Sequence, residues 1–100
     1  MIIVRDVYQA KYGKGAELVA LLADFDKIFK TIAGQAAHSR VLSDASGPFF
    51  TIVQETEVES LAQWEAISKK IFASKEFEPW FSRWLTLADS GRREFYNVER

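Results

Sequence analysis

One hundred residues, 48% of them apolar, are enough for one domain with a modest core, since a chain this short buries only about 60–65% of its unfolded surface. Thirteen Lys and Arg against 14 Asp and Glu, with no run of one sign, leave no electrostatic footprint for nucleic acid or for an anionic membrane surface. Cysteine is absent, which removes disulfides, zinc–thiolate centres and thiol nucleophiles and fits a reducing compartment.

The opening, MIIVRDVYQAKYGKG, holds an apolar stretch of only three residues before Arg5 and Asp6. It reads as neither a secretion signal nor a membrane span, and the expected location is cytoplasmic. Residues 2–10, rich in β-branched residues and Tyr, predict a strand that ends before a turn at Lys11–Gly15. Leu18, Leu21, Leu22, Phe25, Ile28, Phe29 and Ile32 then recur at helical spacing, with Glu17, Asp24, Lys27, Lys30 and Thr31 opposite them. That pattern predicts an amphipathic helix over 15–33, closed by Gly34 as a left-handed C-cap. Residues 36–43 and 49–57 flank the turn cluster Asp44-Ala45-Ser46-Gly47-Pro48 and predict an antiparallel hairpin. Ser60 and Gln63 form a capping box at the head of a second helix, whose buried stripe is Leu61, Trp64, Ile67, Ile71 and Phe72. Ser74 to Glu78 reads as a break, and Pro79 suits the first turn of a short third helix. Phe77, Trp80, Phe81, Trp84, Leu85 and Ala88 keep helical spacing up to Ser90-Gly91, and Arg92 to Glu99 predicts a closing strand.

Strand, helix, strand, strand, helix with a short appended helix, strand is the order of an α+β, ferredoxin-like βαββαβ domain spanning residues 1–100. In it a four-stranded antiparallel sheet carries its helices on one face. The strands alternate poorly: Ile2 and Val4 oppose Ile3 and Val7, and Phe50 and Ile52 oppose Phe49 and Val53. Both faces are therefore partly apolar, whereas the helices cover one. A second copy is the simplest cover, so the expected partner is the chain itself, a homodimer burying roughly 800 Å² per subunit.

Six aromatic residues (Trp64, Phe72, Phe77, Trp80, Phe81, Trp84) fall between positions 64 and 84. They suit the wall of a site for a flat or apolar ligand, and equally the core face of amphipathic helices. His38, the single histidine, shares a strand face with Arg40; it reads as a general base or haem ligand, or as an ordinary strand residue. Asp6 and Tyr8 share one face of the first strand. Asp6 reads as a carboxylate base near Tyr8 and His38, or as the partner of Arg5 or Arg40, the pairing expected here. Glu55 and Glu57 lack the third ligand a metal would need. No dinucleotide, Walker, serine-hydrolase or HExxH signature is present.

The opening MIIVRDVYQAKYGKGAEL, the passage FTIVQETEVESLAQWEAI and the segment KEFEPWFSRW resemble the NIPSNAP-like proteins. That family lies within the dimeric α/β-barrel superfamily, which also holds the antibiotic-biosynthesis monooxygenases. The resemblance covers nearly the whole chain in element order and length, and rests on apolar positions, a turn and a tryptophan. It implies two sheets facing each other in a dimeric α/β barrel, with a pocket in each subunit between sheet and helices. Superfamily members include cofactor-independent oxygenases, haem-degrading oxygenases and small-molecule isomerases. Haem-degrading members carry a histidine on the later helical segment, an asparagine on the first strand and a tryptophan. Trp64 matches the last of these, but residues 72–88 hold no histidine and the first strand offers Asp6, so neither haem nor another cofactor is expected. The resemblance thus implies a protein of unassigned chemistry that binds a small, partly apolar molecule, with Trp64, Trp80, Trp84 and Phe81 as the ligand-binding wall. Two alternatives stay open. One is a cofactor-independent monooxygenase or isomerase with Asp6, Tyr8, His38 and Arg40 as catalytic candidates; the other is a non-catalytic homodimeric interaction module whose pocket is filled core.

Overall fold

The β-branched opening of the chain becomes the inner strand of the sheet, and its alternation sets the layers. β1 (Ile2–Ala10) pairs antiparallel with β3 (Thr51–Val58) on one side and with β4 (Ala88–Asn97) on the other. β2 (His38–Ser43) adds beyond β3, giving the order β2-β3-β1-β4 of a ferredoxin-like α+β fold. The computed structural model describes residues 1–34 and 38–100, so the expected start of β2 at residue 36 lies outside the described residues. Val4, Asp6, Tyr8 and Ala10 of β1, with Ile52, Gln54, Thr56 and Val58 of β3, face the helices; the residues between them face away.

α1 (Gly15–Ala33), α2 (Leu61–Ala73) and α3 (Phe77–Leu87) cover that face. The helical period predicted for α1 buries Leu18, Leu21, Leu22 and Phe29, each worth about 1.5–3 kcal/mol of transfer free energy. Gly34 ends the helix at φ 65°, its N–H donating to the Lys30 carbonyl. Ser60 caps α2, its Oγ accepting from the Gln63 N–H at 3.1 Å. Gln63 reaches back to the N–H of Glu59 at 2.7 Å rather than to that of Ser60. The Trp80 indole N–H donates to the Leu21 carbonyl at 2.8 Å and pins α3 to α1. No helix among the described residues is long and apolar enough to cross a membrane.

Of the boundaries that differ from the sequence expectation, two shape the sheet beneath the helices. Phe49 and Phe50 belong to the turn, and β3 starts at Thr51, because Phe50 takes a left-handed φ of 61°. Such a conformation costs a bulky residue of order 1–3 kcal/mol. It is held by the Ala10 N–H, which donates to the Phe50 carbonyl at 3.0 Å, and by the Tyr12 ring 4.9 Å away. β4 starts at Ala88, straight out of α3, and not at Arg92. Asp89-Ser90-Gly91 has turn composition, yet Gly91 is a strand residue opposite Tyr8 whose ring lies over it. The register shifts where Gln9 meets Ala10, next to this junction.

The face without helices is more charged than the strand alternation implied. Arg5 and Arg40 both pair with Glu55, at 2.6 and 2.7 Å, while Arg5 and Arg92 approach Glu94. Val7 and Val53, on this same face, are already buried within the single chain.

Candidate functional site

The helix-facing side of the sheet does not carry one continuous apolar core. One cluster gathers around Leu18, Leu21, Leu22 and Ile52, and another around Val4, Phe29, Val58, Ile67 and Ile71. Between them runs a cross-strand row, Gln54–Asp6–Arg93, with Thr56 beside it. Asp6 is 4% exposed, Gln54 5% and Thr56 4%. A polar belt this deep lowers stability unless its groups find partners, so it is the first place to look for function.

Above the belt lies a cavity of about 220 Å³. α1 contributes Phe25 and Phe29, α2 contributes Trp64 and Ser68, and α3 contributes Phe77, Trp80, Phe81 and Trp84. Their rings form a connected set. Trp84 meets Tyr8 edge-on at 5.7 Å, Phe81 stacks on Trp84 at 5.7 Å, and Phe77 stacks on Phe81 at 5.6 Å. Phe72 meets Phe77 at the rim, where it is 64% exposed, so the aromatic lining continues from the floor out to solvent.

The floor is held by charge. Arg93 Nε donates to Asp6 Oδ1 at 2.6 Å, and the guanidinium carbon sits 4.9 Å from the Trp64 ring centroid. Burial pushes the Asp6 carboxyl above the usual carboxylate range, outweighing the Arg93 guanidinium that favours its ionised form. Burial, and then the neighbouring Asp6 carboxylate, push the Tyr8 phenol well above the ordinary tyrosine range, so it stays a neutral hydroxyl. Among the described residues the side chains of Gln54 and Thr56 make no hydrogen bond, yet no buried polar side-chain atom there is sealed off unpaired. Their polar atoms therefore open onto the cavity. The site can press a flat or apolar body against indole rings while hydrogen-bonding its polar end.

No protein-family model matches the sequence, and no curated protein matches it. Solved structures do share its architecture. An uncharacterised NIPSNAP domain protein from Burkholderia xenovorans matches with a TM-score of 0.81 at 17% identity, covering 98% of this chain and 94% of that one. A NIPSNAP family protein of unknown function from Agrobacterium tumefaciens matches with a TM-score of 0.83 at 16% identity, covering 96% and 86%. The fold is that of NIPSNAP proteins. SnoaB, a cofactor-independent oxygenase from Streptomyces nogalater, shares it with a TM-score of 0.74 at 11% identity over 99% and 93%. At such identities the likeness is one of fold, and no residue's role is carried across.

Within this NIPSNAP-like fold, six of the eight catalytic and ligand-wall candidates named from sequence line this cavity: Asp6, Tyr8, Trp64, Trp80, Phe81 and Trp84. His38 and Arg40 do not join them. They lie opposite Glu57 and Glu55 on the face away from the helices, so the four polar candidates do not converge. The expected pairing of Asp6 with Arg5 or Arg40 is also corrected, because both arginines project from that other face and engage Glu55. Arg93, Gln54 and Thr56 went unnoticed in the sequence. A buried aspartate in mid-strand calls for a cation on a neighbouring strand, and β4 offers Arg92 and Arg93, one on each face. The irregular register at its start hides which one points inward. Among the described residues no three His, Cys, Asp or Glu side chains gather as a metal site would.

Proposed function

We propose that this protein binds a small, partly apolar molecule in the cavity between its sheet and helices. The observation that supports this most strongly is the interruption of a small core by a buried polar row beneath aromatic walls. Pockets that recognise small molecules combine mainly apolar linings with a few placed polar groups, and a core serving stability alone has no use for Asp6, Gln54 and Thr56. The test is tryptophan fluorescence during titration with quinols and fatty acids. Saturable quenching that is lost in Trp80→Ala supports the reading, and a flat response across the panel overturns it.

The burial of Asp6 beside Tyr8 favours a second reading, a cofactor-independent oxygenase or isomerase. Asp6, a base of raised pKa, would withdraw a proton from the bound molecule. Oxygen consumption with a quinol panel, lost in Asp6→Asn, is its measurement. His38 and Arg40 lie too far round the sheet for that role and are proposed for the seam of a homodimer. Supporting the dimer, the open face carries Arg40 and Arg92 well into solvent beside Ile3, Leu42 and Tyr96, a surface that two cytoplasmic copies would cover. Native mass spectrometry decides: a mass of two chains supports the pairing, and a monodisperse monomer at micromolar concentration overturns it.

A further inference from the structure

We propose that the cavity takes a small monocarboxylic acid with an aromatic or apolar body, its carboxylate held by Arg93 and its arrival coupled to uptake of one proton by Asp6. This rests on the binding reading above and names the ligand's chemistry.

Among the described residues the lining contains a single cation, Arg93, and a single acid, Asp6. Asp6 occupies only the Nε edge of the guanidinium, and the terminal nitrogens of Arg93 meet no acceptor among the described residues. The remaining floor groups are rich in donors: the Gln54 amide, the Thr56 hydroxyl and the Tyr8 phenol. The one group that only accepts, Asp6, is already engaged. A head bearing two acceptor oxygens complements that set, and carboxylate and guanidinium match in a fork geometry that neutral oxygens do not reproduce. The volume, about 220 Å³, is room for roughly seven waters at ~30 Å³ each. It suits one ring and a short acid chain.

Charge balance supplies the second half. A bound carboxylate places two anions on one guanidinium, and such a pair resists full ionisation. The proton goes to Asp6, the more buried of the two. Among the described residues, Tyr8 on β1 and Arg93 on β4 are the titratable groups that face Asp6. β3 meets it with Gln54, and the helices line the cavity with Phe25 and Phe29 from α1, Trp64 and Ser68 from α2, and the aromatic rings of α3, none of which titrates.

The experiment is calorimetric titration of the full-length protein with phenylacetate and with its neutral isostere phenylacetamide, in two buffers of different ionisation enthalpy. Expected are saturable phenylacetate binding with uptake approaching one proton per site, an affinity that falls about tenfold per pH unit where that proton is taken up, and phenylacetamide binding at least about tenfold more weakly with no proton uptake. Asp6→Asn should bind phenylacetate as tightly or more so, with the proton uptake gone. Arg93→Lys, which keeps the charge and loses the fork, should weaken the acid about tenfold and leave the amide unchanged; it carries the test should Asp6→Asn fail to fold. Equal binding of acid and amide, or acid binding without proton uptake, overturns the acid proposal and leaves the cavity reading standing. Binding of neither compound overturns the acid proposal, and the quinol and fatty-acid titration then decides the cavity reading by itself.

Discussion

Replacing Gly91 by alanine adds one methyl group where β4 passes beneath the Tyr8 ring. Gly91 lies outside the left-handed region, so alanine meets no backbone penalty there. On conformational grounds alone the change would stabilise by about 0.4–1 kcal/mol through the unfolded chain. The space is not there to accept it. The new Cβ would sit 2.8 Å from Tyr8 Cδ1, 3.3 Å from Cε1 and 3.6 Å from the Val7 carbonyl oxygen. The ring is fenced by Trp84, edge-on at 5.7 Å, and by the buried Asp6 beside it. Overpacking of this kind costs typically about 1–3 kcal/mol, so the clash wins and the net loss should be about 1–2 kcal/mol. For a domain this size that lowers Tm by roughly 4–8 °C per kcal/mol. The assay is thermal unfolding followed by circular dichroism, repeated in a Tyr8→Ala background, where the same substitution should become neutral or stabilising. A Gly91→Ala protein that melts no lower than the parent, or that loses as much in both backgrounds, would refute this account of why glycine stands there.

Leu21→Ala empties a wholly buried position in the cluster under α1 and should cost about 2–5 kcal/mol, read as a lower urea midpoint at unchanged slope. Thr56→Val replaces a hydroxyl that opens onto the cavity by a methyl group of the same shape and should leave the urea midpoint unchanged or slightly raised while weakening any ligand held by the floor, measured by urea unfolding and by titration. The two carboxylates should move stability with pH in opposite directions. Asp6 has a raised folded pKa, so its contribution is complete below about pH 4 and is lost as pH rises through the folded value; Asp6→Asn removes that loss. Glu55 is held below the usual range, first by the Arg40 hydrogen bond. Its contribution is present above about pH 4.3 and is lost on acidification, so Glu55→Gln flattens the acid limb of a urea series run from pH 3 to 7. Crossed results, with Asp6→Asn flattening the acid limb, would mean the two environments have been assigned the wrong way round.

What the sequence made legible follows from which interactions are local. The α1 stripe repeats a helical period over 19 residues, and the Ser60 and Gln63 cap spans a single turn, so both could be read without tertiary knowledge. Phe49 and Phe50 have the composition of a strand, and only the sign of φ at Phe50 excludes them from it. Gly91 has the composition of a turn, and only the ring of Tyr8 makes it a strand residue. The same divide runs through the site. The indole rings could be placed together because they share helices and the spacing of a buried face. The partner of Asp6, in contrast, lies 87 residues away on a strand whose start and register are irregular, while Arg5 and Arg40, nearer in sequence, belong to the opposite face. Parity along β1 could say which residues Asp6 stands with, and could not say what stands across from it.

The two faces of the sheet treat charge differently, and the difference indicates where chemistry belongs. On the open face, arginines and glutamates pair within reach of water, where solvent screens their attraction. On the covered face, Asp6 is desolvated against Arg93, while Gln54 and Thr56 divide what would otherwise be one apolar core of a domain too small to have much to spare. Valine or leucine in that row would join the two clusters and raise stability. A buried polar row at one connected spot beneath a cavity is the arrangement on which the proposed binding site rests. The aromatic walls alone are ambiguous, since a core uses the same rings. The polar row beneath them is what separates a pocket from a packing defect.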